Sequence, residues 1–187
     1  HQRGDLAVFN DLAWPRSEIV MVKGATSNTC VIDCRTNEPV VCEYSNGAIS
    51  FLAADVPALG ICCFRLEEGT ALSAGKRLAL DERHMENEFL QICFDENGNI
   101  LSIYDKENAR NVLAEDEHPA SLKIFEDKPA NETAWNVDLE YQNKYWRLEP
   151  ISAELVENTS LRSVLNVKYK FNRSTIQQKI ILSKGSR

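Results

Sequence analysis

Carboxylate side chains are frequent in one polar segment of the sequence, residues 125–138, which separates two runs with the pattern of β-strands. Those considered for chemistry are Asp127, Glu132 and Asp138. Paired carboxyl groups can hydrolyse a glycosidic bond, because one protonates the leaving oxygen while the other acts as nucleophile or base. Closeness in the sequence does not place two carboxylates on either side of a sugar. Solvated loop charges are therefore the favoured interpretation, with Asp138 fixing a turn.

Aromatic residues accompany these carboxylates and continue beyond them. Aromatic rings stack on sugar rings, but they also commonly cover the core of a β-sheet. Two interpretations follow, a sugar-binding platform and a lid over the core, and the lid is favoured. The aromatic candidates are Trp135, Tyr141, Tyr145 and Trp146. The candidates for the rim of a sugar site, or for a structural loop, are Asp127, Trp135, Asn136 and Asp138.

Two histidines offer a different chemistry. His84 and His118 could form an acid–base pair, or bind a metal together with Asp116 or Glu117. Both histidines lie in charged segments without an apolar period, so surface positions are the favoured interpretation. The spacing also allows a Ser–His–Asp arrangement, but no flanking sequence resembles a nucleophile elbow and no glycine-rich phosphate loop is present. The sequence thus predicts no catalytic residue and no metal ligand.

The six cysteines do not show the spacing of a metal site, because no pair is separated by the two residues common in zinc sites. Most lie in apolar runs typical of strands, and Cys62 and Cys63 should point to opposite faces of one strand. Buried free thiols in a reducing compartment, the cytoplasm, are the expectation. The cysteines are Cys30, Cys34, Cys42, Cys62, Cys63 and Cys93.

The charge and composition of the chain limit its partners. The net charge of its 187 residues is −7. Nucleic acids and anionic membranes bind basic surfaces, so neither is expected as a partner. No apolar run approaches the roughly 20 residues of a membrane span, and no N-terminal signal pattern is recognisable.

The elements that must position these residues are β-strands. Apolar residues alternate with polar ones or form short runs rich in Val and Ile, which predicts an all-β chain built from antiparallel hairpins. Asn97 and Gly98 favour a tight hairpin turn. The predicted strands are Glu18–Lys23, Thr29–Cys34, Pro39–Tyr44, Ala48–Leu52, Leu59–Leu66, Glu88–Phe94, Ile100–Tyr104, Leu122–Phe125, Ile151–Glu157, Leu161–Phe171 and Thr175–Leu182.

A change in composition divides the chain. Segment 67–87 has no clean period and is predicted to be a linker between a small β domain, residues 1–66, and a second β domain, residues 88–187. The last strand, Thr175–Leu182, is expected to present an unpaired edge. Such edges pair with other chains, so a homo-oligomer is predicted.

Four motifs follow one another along the chain. The first two are 8–16, Val-Phe-Asn-Asp-Leu-Ala-Trp-Pro-Arg, and 56–60, Val-Pro-Ala-Leu-Gly. The third joins 85–89, Met-Glu-Asn-Glu-Phe, to the segment 95–108, and the fourth joins 125–129, Phe-Glu-Asp-Lys-Pro, to 134–136, Ala-Trp-Asn. In this order they resemble the C-terminal β region of glycoside hydrolase family 38, the α-mannosidases of the cytosolic or bacterial type. Asn136 stands where the family often has Asp, and Asn99 where it often has Gly.

The resemblance implies a small β-sandwich followed by part of a mutarotase-like β-supersandwich. It implies an enzyme of mannose metabolism that hydrolyses α-mannosides with retention. The family's nucleophile, acid and divalent metal, usually zinc, belong to a separate catalytic domain, and no position here matches their motifs. We therefore expect this fragment to contain no cofactor, to be inactive alone, to brace the catalytic domain of the same polypeptide and to meet the α-mannoside substrate only indirectly.

Two alternatives stay open. A free-standing carbohydrate-binding module would use Trp135 and the aromatic residues that follow it as its sugar platform. A mutarotase-like epimerase would use His84 or His118 to speed the interconversion of anomers.

Overall fold

The computed structural model describes residues 4–72, 75–114, 120–132 and 135–187. The regular structure of these residues consists of β-strands and one short 3₁₀ helix, Leu139–Asn143. The prediction of an all-β chain is confirmed. Within these ranges no helix is both long enough and apolar enough to cross a membrane. The strands are β1 (Gly4–Phe9), β2 (Arg16–Lys23), β3 (Thr29–Asp33), β4 (Glu38–Val40), β5 (Cys42–Ser45), β6 (Ala48–Val56), β7 (Ile61–Glu68), β8 (Ala79–Asp81), β9 (His84–Glu86), β10 (Leu90–Phe94), β11 (Ile100–Asp105), β12 (Arg110–Asn111), β13 (Lys123–Phe125), β14 (Tyr145–Arg147), β15 (Pro150–Asn158), β16 (Arg162–Phe171) and β17 (Ser174–Ser183).

The first seven strands form a small β-sandwich. One sheet has the order β1-β7-β3-β4 and the other the order β2-β6-β5. Their inner faces meet where the rings of Phe51 on β6 and Phe64 on β7 lie 4.8 Å apart. Strand β6 is nearly continuously apolar, because both its faces are buried. The core of this sandwich, called core A below, consists of Val31, Cys42, Ile49, Phe51, Ala53, Val56, Cys62 and Phe64.

The chain passes from one sheet to the other within the predicted strand Pro39–Tyr44, which therefore forms two strands. Strand β4 pairs with β3 in one sheet, whereas β5 pairs with β6 in the other. Between them Val41 forms an isolated parallel bridge to Leu72. Pro39 lies on the edge strand β4, where its missing N–H removes no ladder hydrogen bond. The sequence of residues 39–44 is typical of a single strand, but its two ends pair in different sheets.

The segment predicted to be a linker, 67–87, contains two short strands. Strands β8 and β9 form a hairpin that extends the sheet to the order β12-β11-β10-β9-β8. Ala79 and Met85 are buried in the core beneath it. Strands of three residues are too short to show a period of two, so the sequence pattern missed them. The division into two domains stays a prediction.

The second half of the chain packs two sheets around another core. Sheet β15-β16-β17 faces the sheet that contains β10 and β11, while β13 and β14 form a separate pair. Strand β17 lies at the edge of its sheet, as predicted, and the homo-oligomer stays a prediction. The core between the sheets, called core B below, consists of Ala79, Met85, Ile92, Phe94, Leu148, Leu165, Val167, Tyr169 and Leu182.

The hairpin between β10 and β11 shows how closely these sheets approach. Gly98 adopts φ +92°, and a Cβ atom placed on it would lie 2.6 Å from the Cβ of Ala153 on β15. The carboxylate of Asp95 accepts hydrogen bonds from the backbone N–H groups of Asn97 at 2.9 Å and Asn99 at 2.8 Å. The turn predicted at Asn97 and Gly98 is therefore fixed locally and packed against the facing sheet.

Candidate functional site

The polar segment 125–138 forms a loop beside the two-stranded pair of β13 and β14. Phe125 is paired with Tyr145 across the two strands. The loop and the 3₁₀ helix enclose a depression of about 210 Å³ lined by Asp127, Asp138, Glu140 and other residues. The carboxylate chemistry considered from the sequence, and not favoured there, would have to occur in this depression.

Two of the carboxylates around this depression are already engaged. Asp138 Oδ2 accepts a hydrogen bond from the Ala130 N–H at 2.7 Å, and its Oδ1 accepts one from Asn136 Nδ2 at 2.6 Å. Glu126 Oε1 lies 2.7 Å from Lys144 Nζ and 3.2 Å from Lys128 Nζ. The hydrogen bond from Lys144, reinforced by Lys128, lowers the pKa of Glu126. Glu126 is therefore held in its charged form.

The remaining carboxylates of this region lie in two settings. Asp127 and Glu140 line the depression without a hydrogen bond to their side chains from any residue that the structure describes. Glu132 adopts φ +54°, and its carbonyl accepts the N–H groups of Trp135 at 2.8 Å and Asn136 at 3.0 Å. Thr133 and Ala134 of the fourth motif lie outside the described residues. Among the described residues, the hydrogen bonds of Asp138 and of the Glu132 carbonyl act within the loop itself.

The four aromatic candidates do not form one platform. Tyr141 and Tyr145 pack against Phe125, with ring centroids 5.2 Å and 5.7 Å apart. Trp146 is next to Tyr145 on β14, points to the opposite face and contacts the ring of Phe171 at 5.4 Å. Trp135 is 90% exposed. The structure thus separates a Tyr pair, a packed Trp and an exposed Trp.

The histidine candidates lie elsewhere. His84, on β9, has its Nδ1 atom 2.9 Å from Asp81 Oδ1, and both side chains are exposed. The backbone N–H of Arg83 and then His84 itself lower the pKa of Asp81. His118, Asp116 and Glu117 lie outside the described residues. Within the described ranges no group of three His, Cys, Asp or Glu side chains is arranged to hold a metal ion.

The first two sequence motifs meet in space through one buried amide. Asn10 Nδ2 donates to the carbonyl oxygens of Trp14 at 2.8 Å, Val56 at 3.1 Å and Pro57 at 3.1 Å. Its Oδ1 accepts the N–H of Leu12 at 3.1 Å. A buried amide with partners on both atoms is stabilising because no polar group is left without a hydrogen bond. Asn10 therefore holds the motif 8–16 against the motif 56–60.

These two loops present large apolar side chains to solvent. Phe9 and Ile61 are paired across β1 and β7 and are 62% and 56% exposed. Trp14 and Leu59, in the clamped loops, are 58% and 68% exposed. Gly60 is required between them, because a Cβ there would lie 2.6 Å from Pro57 Cγ. We call Phe9, Trp14, Leu59 and Ile61 the apolar patch.

A second buried asparagine explains the third motif. Asn87 Nδ2 donates to the carbonyl oxygens of Ser183 at 2.8 Å and Ser186 at 2.7 Å. Its Oδ1 accepts the N–H groups of Phe89 at 2.9 Å and Leu90 at 2.8 Å. The motif thus fastens the end of β17 to the start of β10. Neither Asn10 nor Asn87 is predicted from the sequence to be a structural residue. The only signal in the sequence is that each Asn lies within a motif and beside a turn.

Comparisons with known proteins agree with this architecture. The sequence model of the family described as "Glycosyl hydrolases family 38 C-terminal domain" matches residues 85–187. The solved structure of an alpha-mannosidase from Enterococcus faecalis V583 is similar to this chain, with a TM-score of 0.64 and 15% sequence identity. A second structure, of a protein in the Glycosyl Hydrolase Family 38 from Enterococcus faecalis, has a TM-score of 0.62 and 16% identity.

The extent of these matches matters as much as their quality. The first covers 98% of this chain and 29% of the solved chain, and the second covers 97% and 30%. This chain therefore spans less than a third of the length of those structures. The comparison with curated protein sequences gave no match.

Proposed function

Because the chain belongs to the family of glycosyl hydrolase family 38 C-terminal domains, we propose that it is the non-catalytic β region of a cytoplasmic α-mannosidase. The whole enzyme would hydrolyse α-mannosides with retention. Its nucleophile, its acid and a divalent metal, expected to be zinc, would lie in a separate catalytic domain of the same polypeptide. The role of this region would be to support that domain. The engaged state of Asp138 and Glu126 favours a structural rather than a catalytic loop.

The observation that carries the proposal is the apolar patch. Single exposed apolar residues are common on soluble proteins, but several large ones together are typical of an interaction surface. The Asn10 clamp holds the loops that carry Trp14 and Leu59, and the β1–β7 ladder pairs Phe9 with Ile61. The solved chains that resemble this one extend well beyond the matched part. We therefore propose the catalytic domain as the occupant of the patch.

The first test compares hydrolytic activity. The 187-residue chain, supplied with Zn²⁺, is expected to release no product from an aryl α-mannoside, while the full-length polypeptide does. The reason is that no position of this chain matches the metal and nucleophile motifs that the resemblance to the family implies for the catalytic domain. Zn²⁺-dependent hydrolysis by the isolated chain would contradict the proposal.

A second test addresses the patch with matched leucine variants. Leu59→Ser changes an exposed patch residue, and Leu101→Ser changes an exposed leucine on β11. In the isolated chain both should alter the free energy of unfolding by less than about 0.5 kcal/mol. In the full-length enzyme only Leu59→Ser should lower the thermal midpoint and the active fraction. Equal behaviour of both variants in the full-length enzyme would argue against docking at the patch.

One observation favours a second function, that of a carbohydrate-binding module. Trp135 is 90% exposed in a polar loop, a position suited to stacking on a sugar ring. Titration calorimetry of the isolated chain with a mannoside separates the two functions. Weak binding that is lost in Trp135→Ala and kept in Trp14→Ala would support the module. If the unmodified chain shows no heat of binding, support of the catalytic domain remains the proposed function.

A further inference from the structure

Two thiols stand opposite each other on neighbouring strands of the first sandwich. Strand β3 pairs with β7 up to Asp33 and Phe64, and Cys34 and Cys63 continue this register by one residue. The Cys34 N–H donates to the Cys63 carbonyl oxygen at 3.0 Å. Directly opposed residues of an antiparallel pair have Cα atoms roughly 4.5–5.5 Å apart. Disulfide-bonded cysteines have Cα atoms roughly 4.4–6.8 Å apart.

Both side chains lie on the outer face of the sheet. Their neighbours Asp33, Cys62 and Phe64 are buried, whereas Cys34 and Cys63 are exposed. Because side chains alternate along a strand, exposure of Cys63 between two buried residues places it outside core A. An exposed thiol can be reached by a small oxidant, as a buried one cannot.

The backbone around Cys34 is anchored on both sides. Asp33 and Arg35 form an ion pair with Arg35 Nη2 2.6 Å from Asp33 Oδ2. The same guanidinium group donates to the carbonyl oxygens of Ala54 at 2.9 Å and Asp55 at 3.2 Å. These contacts fix the residues on either side of Cys34 to the end of β6. A thiol held beside its partner loses little freedom when a bond forms between them.

The other four cysteines are poorly placed for either thiol. Cys42 and Cys62 are buried in core A. Cys30 is four residues before Cys34, about 13 Å away along an extended strand, and its Sγ donates to the Glu67 carbonyl oxygen. Cys93 belongs to β10, beside core B. The geometry therefore selects one pair.

We propose that Cys34 and Cys63 form a reversible disulfide by exchange with a low-molecular-weight disulfide such as glutathione disulfide. One protein thiol, as its thiolate, attacks a sulfur of glutathione disulfide and expels one glutathione thiolate. The other protein thiolate attacks the mixed disulfide and expels the second. The protein loses two electrons and two protons, and one glutathione disulfide becomes two glutathione molecules.

The bond would lie next to the apolar patch. Ile61 and Cys63 occupy the same face of β7, two residues apart, and Cys63 pairs with Ala7 of β1 on its other side. A link from Cys34 to Cys63 would join β3 to β7 covalently. Exposed disulfides are more readily reduced than buried structural ones, so the pair is suited to reversible oxidation. This inference does not depend on the proposed function.

The test is peptide mapping of the 187-residue chain after equilibration with glutathione disulfide and alkylation of the remaining thiols. We expect one cross-linked species, joining the peptide of Cys34 to that of Cys63, which disappears on return to reduced glutathione. The measurement needs no variant, so a folding defect cannot obscure it. Absence of this link, with glutathione retained on either cysteine, would overturn the proposal.

Variants add a matched control. Cys34→Ser and Cys63→Ser should each abolish the internal link and leave a single glutathione adduct on the remaining partner. Cys93→Ser should form the link as fully as the unmodified chain. Oxidation should raise the thermal midpoint of the unmodified chain and of Cys93→Ser, because the cross-link restricts the unfolded chain, and leave that of Cys34→Ser unchanged. An equal rise in Cys34→Ser would contradict the assignment.

Discussion

At the scale of single residues, the buried polar side chains do most to explain the sequence motifs. Asn10 and Asn87 each satisfy both atoms of their amide with backbone partners from distant parts of the chain. The loop carboxylate Asp138 has a partner on each oxygen, the Ala130 N–H and the side-chain amide of Asn136, and its role in fixing a turn stays a prediction. The two asparagines were not predicted, because the sequence shows that an Asn is present but not which distant carbonyl oxygens face it.

Removing the Asn10 amide should destabilise core A. We expect Asn10→Ala to lower the free energy of unfolding by about 2–3 kcal/mol, because buried backbone groups lose their hydrogen-bond partner. Urea denaturation measures the change. Asn143→Ala, at an exposed asparagine that ends the 3₁₀ helix, is the control and should stay within about 0.5 kcal/mol. Similar values for the two variants would show that the clamp contributes nothing.

Asp33 should make stability depend on pH. Its hydrogen bonds with Arg35 lower its pKa in the folded chain. The stabilisation is therefore complete above the unfolded pKa of about 3.9 and is lost as the pH falls towards the lower folded value. The free energy of unfolding should decline more steeply from about pH 4 downwards in the unmodified chain than in Asp33→Asn, which starts about 1–3 kcal/mol lower. If the free energy of unfolding of the two proteins changes with pH in the same way, Asp33 is not the source of the pH dependence.

At the scale of strands and hairpins, the sequence predicted most elements but not all of their partners. The long predicted runs became β7, β16 and β17, with ends shifted by one or two residues, and β6 extends four residues beyond its predicted end. Strands of two or three residues, such as β8, β12 and β14, have no period to detect. Alternation along β16 predicts one largely polar face, yet Val164 and Asn166 on that face are buried. Whether the second face of a strand is also buried depends on which elements pack against it. Hydrophobic periodicity does not report that packing.

The β10–β11 hairpin offers a test of close approach between sheets. Gly98→Ala should cost about 2–4 kcal/mol, because it combines a positive φ with a clash against Ala153. Gly47→Ala is a matched control, since Gly47 has φ +76° and no atom within 4 Å of its added Cβ. That variant should cost about 1 kcal/mol. The difference between the two destabilisations, measured by chemical denaturation, is the contribution of packing against Ala153. Equal destabilisations would show that this packing contributes nothing.

At the scale of the whole molecule, polar contacts join the part that contains core A to the part that contains core B. Glu43 Oε2 accepts the Ser160 N–H at 2.8 Å, and its Oε1 accepts the Ser160 hydroxyl at 2.5 Å. Asn46 Nδ2 donates to the Val156 carbonyl oxygen at 3.0 Å. Arg162 also contacts Met21 across this junction. The sequence could not predict these contacts, because they join residues more than a hundred positions apart.

Breaking the Glu43 contacts should loosen the coupling between the two cores. Hydrogen bonds to a charged group contribute about 1.5–3 kcal/mol each, so we expect Glu43→Ala to separate unfolding into two steps. Amide hydrogen exchange in β6 and β16, followed through urea, would detect them. Glu38→Ala, at an exposed position on β4, should keep a single step. A single step in Glu43→Ala as well would mean that the cores unfold together for another reason.

The three tryptophans give each of these regions its own optical signal. Trp14 belongs to the apolar patch, Trp135 to the exposed loop, and Trp146 packs on Phe171 beside Lys144. Variants that keep one tryptophan should therefore differ in emission wavelength and in quenching by acrylamide. Trp135 should be the most strongly quenched and Trp146 the least. A blue shift confined to Trp14 in the full-length polypeptide would report that the patch has lost its water.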